Sequence, residues 1–197
     1  MTDRSEHAHA EEPDELRALL SRVDELRRAG KAEEAVVVLE GAVAEYVAFA
    51  GPRTPVSLAL RNALAALWVE GVCDPSRVEA ATALVAECEA VLGGDHPTTI
   101  SARDHLACLL AMAGEHDRAL DLHRRAAGDA ARVLGTEAAA TRHIRTNLAA
   151  TLLSMGRPAD ATEALEVLLA GSDPASDLDH ERVGQSLRIR RLLARCC

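Results

Sequence analysis

The sequence predicts an all-α fold of stacked helix hairpins, a solenoid, and three observations carry that prediction. The first is a repeat. Leu92-Gly93 returns as Leu134-Gly135, Leu106-Ala107 as Leu148-Ala149, Leu110 as Leu152, Gly114 as Gly156 and Ala119 as Ala161, each time 42 residues on. A fixed period in this range marks units that cannot bury their apolar faces alone and stack on their neighbours to do so. The second is composition: 48% of residues are hydrophobic but only 2% are aromatic. Alanine dominates the apolar set; it is the best helix former and lets helices approach closely. The third is that no stretch alternates polar and β-branched residues as a half-buried strand would. A chain of 197 residues holds about four such units with a terminal helix to spare.

Each element follows from local signals. Residues 1–12 are polar and acidic without periodicity, and are expected to form a disordered tail. Glu12-Pro13-Asp14-Glu15 starts a helix, with proline suited to the first turn and acids at the positive end of the helix dipole. Leu16, Leu19, Leu20, Val23 and Leu26 give it an apolar stripe, and Ala29-Gly30-Lys31 ends it. A second helix over 32–50 carries Ala35, Val38, Leu39, Ala42, Val43 and Tyr46 on one face. Gly51-Pro52 breaks the chain, and Thr54-Pro55 opens a third helix through Asn62, Leu64 and Trp68. After Gly71-Val72-Cys73, Asp74 is suited to cap a fourth helix that runs to Leu92, with Pro75 in its first turn. Two further hairpins take up 97–113 with 116–133 and 138–155 with 158–170, so the repeat region spans 13–170. A loop at 171–177 leads to a helix within 178–197, whose apolar edge of Ile189, Leu192, Leu193 and Cys196 is suited to cover the last hairpin.

Leu106-Ala107, Leu110, Gly114 and Ala119, with their copies 42 residues on, resemble the tetratricopeptide repeat (TPR). The small residues stand where two helices of a hairpin touch, and the glycine allows the turn between them. The period of 42 and the turn Leu92-Gly93-Gly94-Asp95-His96-Pro97-Thr98-Thr99 resemble the longer variety found in kinesin light chains and shared by many bacterial proteins. One hairpin departs from the pattern: Val72 replaces the turn glycine, Arg77 replaces the packing alanine, and an unusual opening angle is expected there.

The resemblance implies a right-handed superhelix whose first helices line a concave groove for a protein or peptide partner. By register, the groove-facing positions are Ala59, Asn62, Ala66, Val69 and Glu70, then Ser101, Asp104, Cys108, Ala111 and Met112, then His143, Thr146, Ala150, Leu153 and Ser154. Asn147 matches an asparagine that holds peptide backbone in the family, whereas Ala63 and His105 interrupt that ladder. A small apolar floor (Ala66, Cys108, Met112, Ala150) flanked by Asn62, Asp104 and Asn147 suits an apolar-anchored peptide or helix. Met112 and Leu153 are equally suited to the core between repeats.

A search for chemistry gives no enzyme motif. The eight histidines include no HExxH and no pair four apart on one helix, and His7-x-His9 in an acidic segment is a weak metal signal. His96 is expected to hydrogen-bond locally at a helix start. Cys88 and Cys108 read as small apolar core residues, and the glycines form no phosphate loop. No catalytic residue, metal or cofactor is expected. The five cysteines show no CxxC pair, which suits a reducing cytoplasm; the Cys196-Cys197 end reads as structural before it reads as a lipidation signal. No apolar signal core or run of about 18 apolar residues appears, so neither secretion nor membrane insertion is expected.

The net charge of −9 argues against non-specific nucleic-acid binding. The reading is therefore a non-enzymatic, cytoplasmic, monomeric or homodimeric scaffold that binds a protein segment in its groove. The alternative is a regulatory or sensory subunit whose arginine-rich end (Arg188, Arg190, Arg191, Arg195) docks on nucleic acid or an acidic partner, though no helix-turn-helix is present to read bases.

Overall fold

The structure, a computed structural model, describes residues 8–72 and 74–170, with side chains at 16–72 and 74–165. The described residues form eight helices and no strand: α1 (Ala8–Arg28), α2 (Ala32–Ala50), α3 (Pro55–Trp68), α4 (Pro75–Leu92), α5 (Pro97–Met112), α6 (His116–Val133), α7 (Ala139–Ser154) and α8 (Pro158–Ala170). From α2 to α8 the limits follow the sequence reading to within a residue. The helix α1 starts at Ala8, ahead of the expected Pro13. Ala8, Ala10, Glu11 and Glu12 are good helix formers, and they extend it backward. The rest of the expected tail, the 171–177 loop and the 178–197 capping helix lie outside the described residues.

The starts of the helices obey their capping chemistry. The Thr54 side chain accepts from the Ser57 N–H, Asp74 from Ser76 and the His96 ring from Thr98, each followed by proline in the first helical turn. At the same register in the first turn of α3, α5 and α7, a hydroxyl donates back to a glycine carbonyl six residues earlier. These bonds are Ser57 Oγ to Gly51 at 2.6 Å, Thr99 Oγ1 to Gly93 at 2.8 Å and Thr141 Oγ1 to Gly135 at 2.8 Å. The 42-residue repeat in sequence is thus a repeat of one particular turn.

Within the hairpins, Gly30, Gly114 and Gly156 take φ of 73°, 84° and 69°. Each lets the next N–H reach a carbonyl five residues back: Lys31 to Leu26, Glu115 to Leu110 and Arg157 to Leu152, all at 2.9 Å. This is the closure that a left-handed residue after a helix permits. Val72 stands at the same register, and no non-glycine described residue has positive φ. A β-branched side chain is costly in that conformation. The chain divides into two compact units at this point, Met1–Val72 and Cys73–Cys197.

In the first unit, α1, α2 and α3 pack around Val23, Ala35, Val36, Leu39, Leu60, Leu64 and Leu67, with Tyr46 and Trp68 half-covered at the margin. In the second, α4 to α8 pack in series, and α5 also touches α7. Ala126, Ala127 and Ala130 of α6 meet Ile100 and Ile144, while Leu120 and Ala149, Leu152, Ala161 and Leu165 form the next layer. Ala35, Ala119 and Ala161 share one register and are fully buried, as close hairpin packing requires.

The second unit also buries a charge that no local sequence signal marks. Arg103 is wholly enclosed; its guanidinium meets Glu89 at 2.7 Å, Asp129 at 2.9 Å and the Gly94 carbonyl at 2.9 Å. One side chain thereby ties α4, α5, α6 and the turn before α5 together.

Candidate functional site

Positions three and four apart on a helix share a face, so Ser101, Asp104, His105 and Cys108 form a continuous edge of α5. On α7, His143, Thr146 and Asn147 do the same. Where the two helices approach, Pro97, Ile100, Ser101, Asp104 and His105 face Leu134, Ala139, Ala140, His143 and Ile144 across a cleft of about 360 Å³. Its walls are mainly apolar, with two imidazoles, a hydroxyl and a carboxylate as its polar groups.

Asp104 is the centre of the polar arrangement and is 2% exposed. One oxygen lies 3.0 Å from His123 Nδ1 on α6, and the other accepts from Asn147 Nδ2 on α7 at 3.0 Å. His123 is 1% exposed and Asn147 6%. The network therefore joins three helices through one carboxylate. Burial pushes the Asp104 carboxyl up, but the His123 hydrogen bond and the charges of His123, His105 and His143 outweigh it and hold the group below its usual range. A carboxylate kept ionised can only accept, so Nδ1 of His123 carries the proton in this arrangement. His105 is pushed down by burial and by His143, against the opposing pull of Asp104. The Sγ of Cys108, one turn along α5, falls within 4.8 Å of the Asp104 and His123 donor atoms.

The expected groove residues fall into distinct settings. Ser101 and Cys108 are half-buried and His143 is exposed on the α5–α7 face. Thr146 is buried and donates to the Arg142 carbonyl at 2.8 Å, which turns its hydroxyl onto its own helix. Asp104 and Asn147 are engaged with each other. Met112 is 43% exposed and lies beside Pro75, Val78 and Arg118, away from the cleft. Asn62, half-buried, and Glu70 belong to the first unit, where Glu70 pairs with Arg27 at 2.8 Å. Arg188, Arg190, Arg191 and Arg195 lie outside the described residues. His123 was not singled out from sequence, because it lies 19 residues from Asp104 and only the α5–α6 hairpin brings the two together.

Residues 99–138 match the family model described as tetratricopeptide repeat. The chain carries a tetratricopeptide repeat. The match begins at Thr99, whose hydroxyl closes the turn before α5, and takes in Asp104, Cys108 and His123. In fold, the chain is similar to the nearly identical TPR-like repeats of a kinesin-light-chain candidate from Podosopora anserina. The TM-score is 0.69 at 23% identity, over 93% of this chain and 87% of the other. A single-substitution variant of those repeats matches equally well. No curated protein matches the sequence significantly. Tetratricopeptide repeats are in general scaffolds for protein–protein contact, typically without catalysis of their own. Among the described residues, no helix is long and apolar enough to cross a membrane.

Proposed function

We propose that this chain is a protein-interaction module whose α5–α7 face receives a segment of a partner protein. The cleft between the first helices of two successive repeats carries the reading: it is apolar at its walls, and its polar groups are few and fixed. Such a surface suits one buried apolar side chain of the partner, with the flanking backbone hydrogen-bonded at the rim. Ser101, His105 and His143 are placed for that contact. Asp104 and Asn147 act one layer below, since their mutual bond sets the spacing of α5 and α7. Cys108 extends the same edge of α5. Within the same unit, Met112 and Thr146 are the remaining register positions for a longer segment; Asn62 of α3 and Glu70 just after it are the corresponding candidates of the first unit, taken by itself. A cytoplasmic setting and a monomeric or homodimeric state belong to the same reading.

The test is capture of partners from a lysate with the intact chain, followed by binding measurements with the recovered partner on Ser101→Arg and His143→Glu. Each variant is expected to weaken binding about tenfold or more, because a charged, bulky group then fills the cleft. Unchanged affinity in both would overturn the assignment of the face. If that result came with steep loss of binding on added salt, the contact would belong instead to Arg188, Arg190, Arg191 and Arg195.

A further inference from the structure

The buried polar cluster of the α5–α6 hairpin is not required by the fold, and the repeat itself shows this. His123 lies at the register of Leu39, Ala81 and Leu165, which are 0%, 1% and 0% exposed. Cys108 corresponds to Ala66 and Ala150, and Asp104 to Asn62 and Thr146. The other hairpins fill the deep position with an aliphatic side chain. In this hairpin alone, an imidazole, a carboxylate and a thiol take the corresponding places. Their donor atoms, a His123 ring nitrogen, an Asp104 oxygen and Cys108 Sγ, all lie within 4.8 Å of one another. Burying a carboxylate is costly unless something compensates, and an apolar core does not call for one here.

We propose that Asp104, Cys108 and His123 form a binding site for a zinc-class divalent cation. The donor set of one sulfur, one nitrogen and one oxygen suits a borderline-soft metal in tetrahedral geometry, with water as the fourth ligand. Asp104 and Cys108 stand four apart on α5 and so project together, while His123 reaches them from α6. The geometry also supplies the outer support that metal carboxylates require: Asn147 holds the second Asp104 oxygen at 3.0 Å, leaving the first directed at His123. Half-exposed Cys108 gives the ion its way in. On binding, Cys108 loses its thiol proton to solvent, and His123 ligates through Nδ1 with its hydrogen moved to Nε2. Metal thus replaces the proton that now bridges His123 and Asp104.

Titration of the reduced, chelator-treated full chain with Co²⁺ tests this site. One equivalent is expected to give a thiolate-to-cobalt band in the near ultraviolet with the visible absorption of a tetrahedral site, displaced by Zn²⁺. Cys108→Ala, which installs the residue found at Ala66 and Ala150, is expected to fold as the parent does by circular dichroism and to lose the band. Asn147→Ala should weaken affinity about tenfold or more while keeping the band. The double variant Cys196→Ser with Cys197→Ser should bind as the parent does. No thiolate band in the parent, a band that survives Cys108→Ala, or one abolished by the Cys196 and Cys197 changes would each overturn the site.

Discussion

The two units solve the same packing problem in opposite ways. In the first, the interior between α1, α2 and α3 is aliphatic, with Leu39 fully buried in it. In the second, that register is aliphatic at Ala81 and Leu165 but holds His123 in the α5–α6 hairpin, and Arg103, Asp104 and Asn147 are buried in the same unit. Hydrophobic burial needs only approximate shape, whereas a buried charge requires partners at defined distances. The first unit is therefore held by area and the second, in part, by geometry. A face whose helix spacing is fixed by geometry is the better platform for recognition.

Substitutions at matching registers sharpen that contrast. The largest effect is expected from Arg103→Ala, which empties an enclosed site and removes the charge-assisted bonds to Glu89 and Asp129, and should cost about 3–5 kcal/mol even though Arg125 and Arg132 still pair those carboxylates. Arg61, one period earlier, bonds the Pro52 carbonyl at 3.2 Å from a more exposed position, and Arg61→Ala should cost less than about 1 kcal/mol. Urea unfolding of both variants checks the pair; equal losses would mean that burial is not what separates the units.

His123→Leu alone should also destabilise, by about 3 kcal/mol, because Asp104 stays buried with one partner fewer. Adding Asp104→Thr and Cys108→Ala, the residues of the fourth hairpin, should recover most of that loss, since a matched apolar filling is often as stable as the polar one. A triple variant no more stable than His123→Leu would show that the second unit has come to depend on its polar interior.

A smaller effect concerns the turns. Gly114→Ala places a side chain at φ +84° and should cost about 1–2 kcal/mol, although the added methyl meets no atom within 4 Å. Val72→Ala, at the same register, should be nearly neutral, because Val72 does not adopt that conformation.

The smallest effect is in pH. The folded-state pKa of His105 is held below its ordinary 6.5 by burial, with His143 adding to the depression and Asp104 opposing it. The unfolded chain therefore takes up a proton first as pH falls. Stability should decline as pH drops below about 6.5 and level off beneath the folded pKa. His105→Gln, in metal-free protein, should flatten this slope in denaturant titrations at successive pH values.

Much of the fold was legible because its signals are local. Leu-Ala steps, turn glycines and capping Asp74 and His96 act through neighbours a few residues away, and their recurrence at 42 residues multiplied each signal. The candidate site was only half legible. The edge formed by Ser101, Asp104 and Cys108 follows from helical spacing, but Asn147 reads as a free peptide-gripping residue until its bond to Asp104 is seen. His123 and Arg103 read as ordinary polar positions on amphipathic helices. Nothing local distinguishes a buried histidine or arginine from a solvated one.

The sequence by itself thus determined that the chain is a stack of helix hairpins, where α2 to α8 begin and end, and that the pattern breaks at Val72. Those properties depend on propensity, capping and periodicity, which act within a turn or two. Only the tertiary structure decided which polar groups lie inside. It brought Asp104, His123 and Asn147 from three helices to hydrogen-bonding distance, because a side chain's burial and its long-range partners are set by how elements pack.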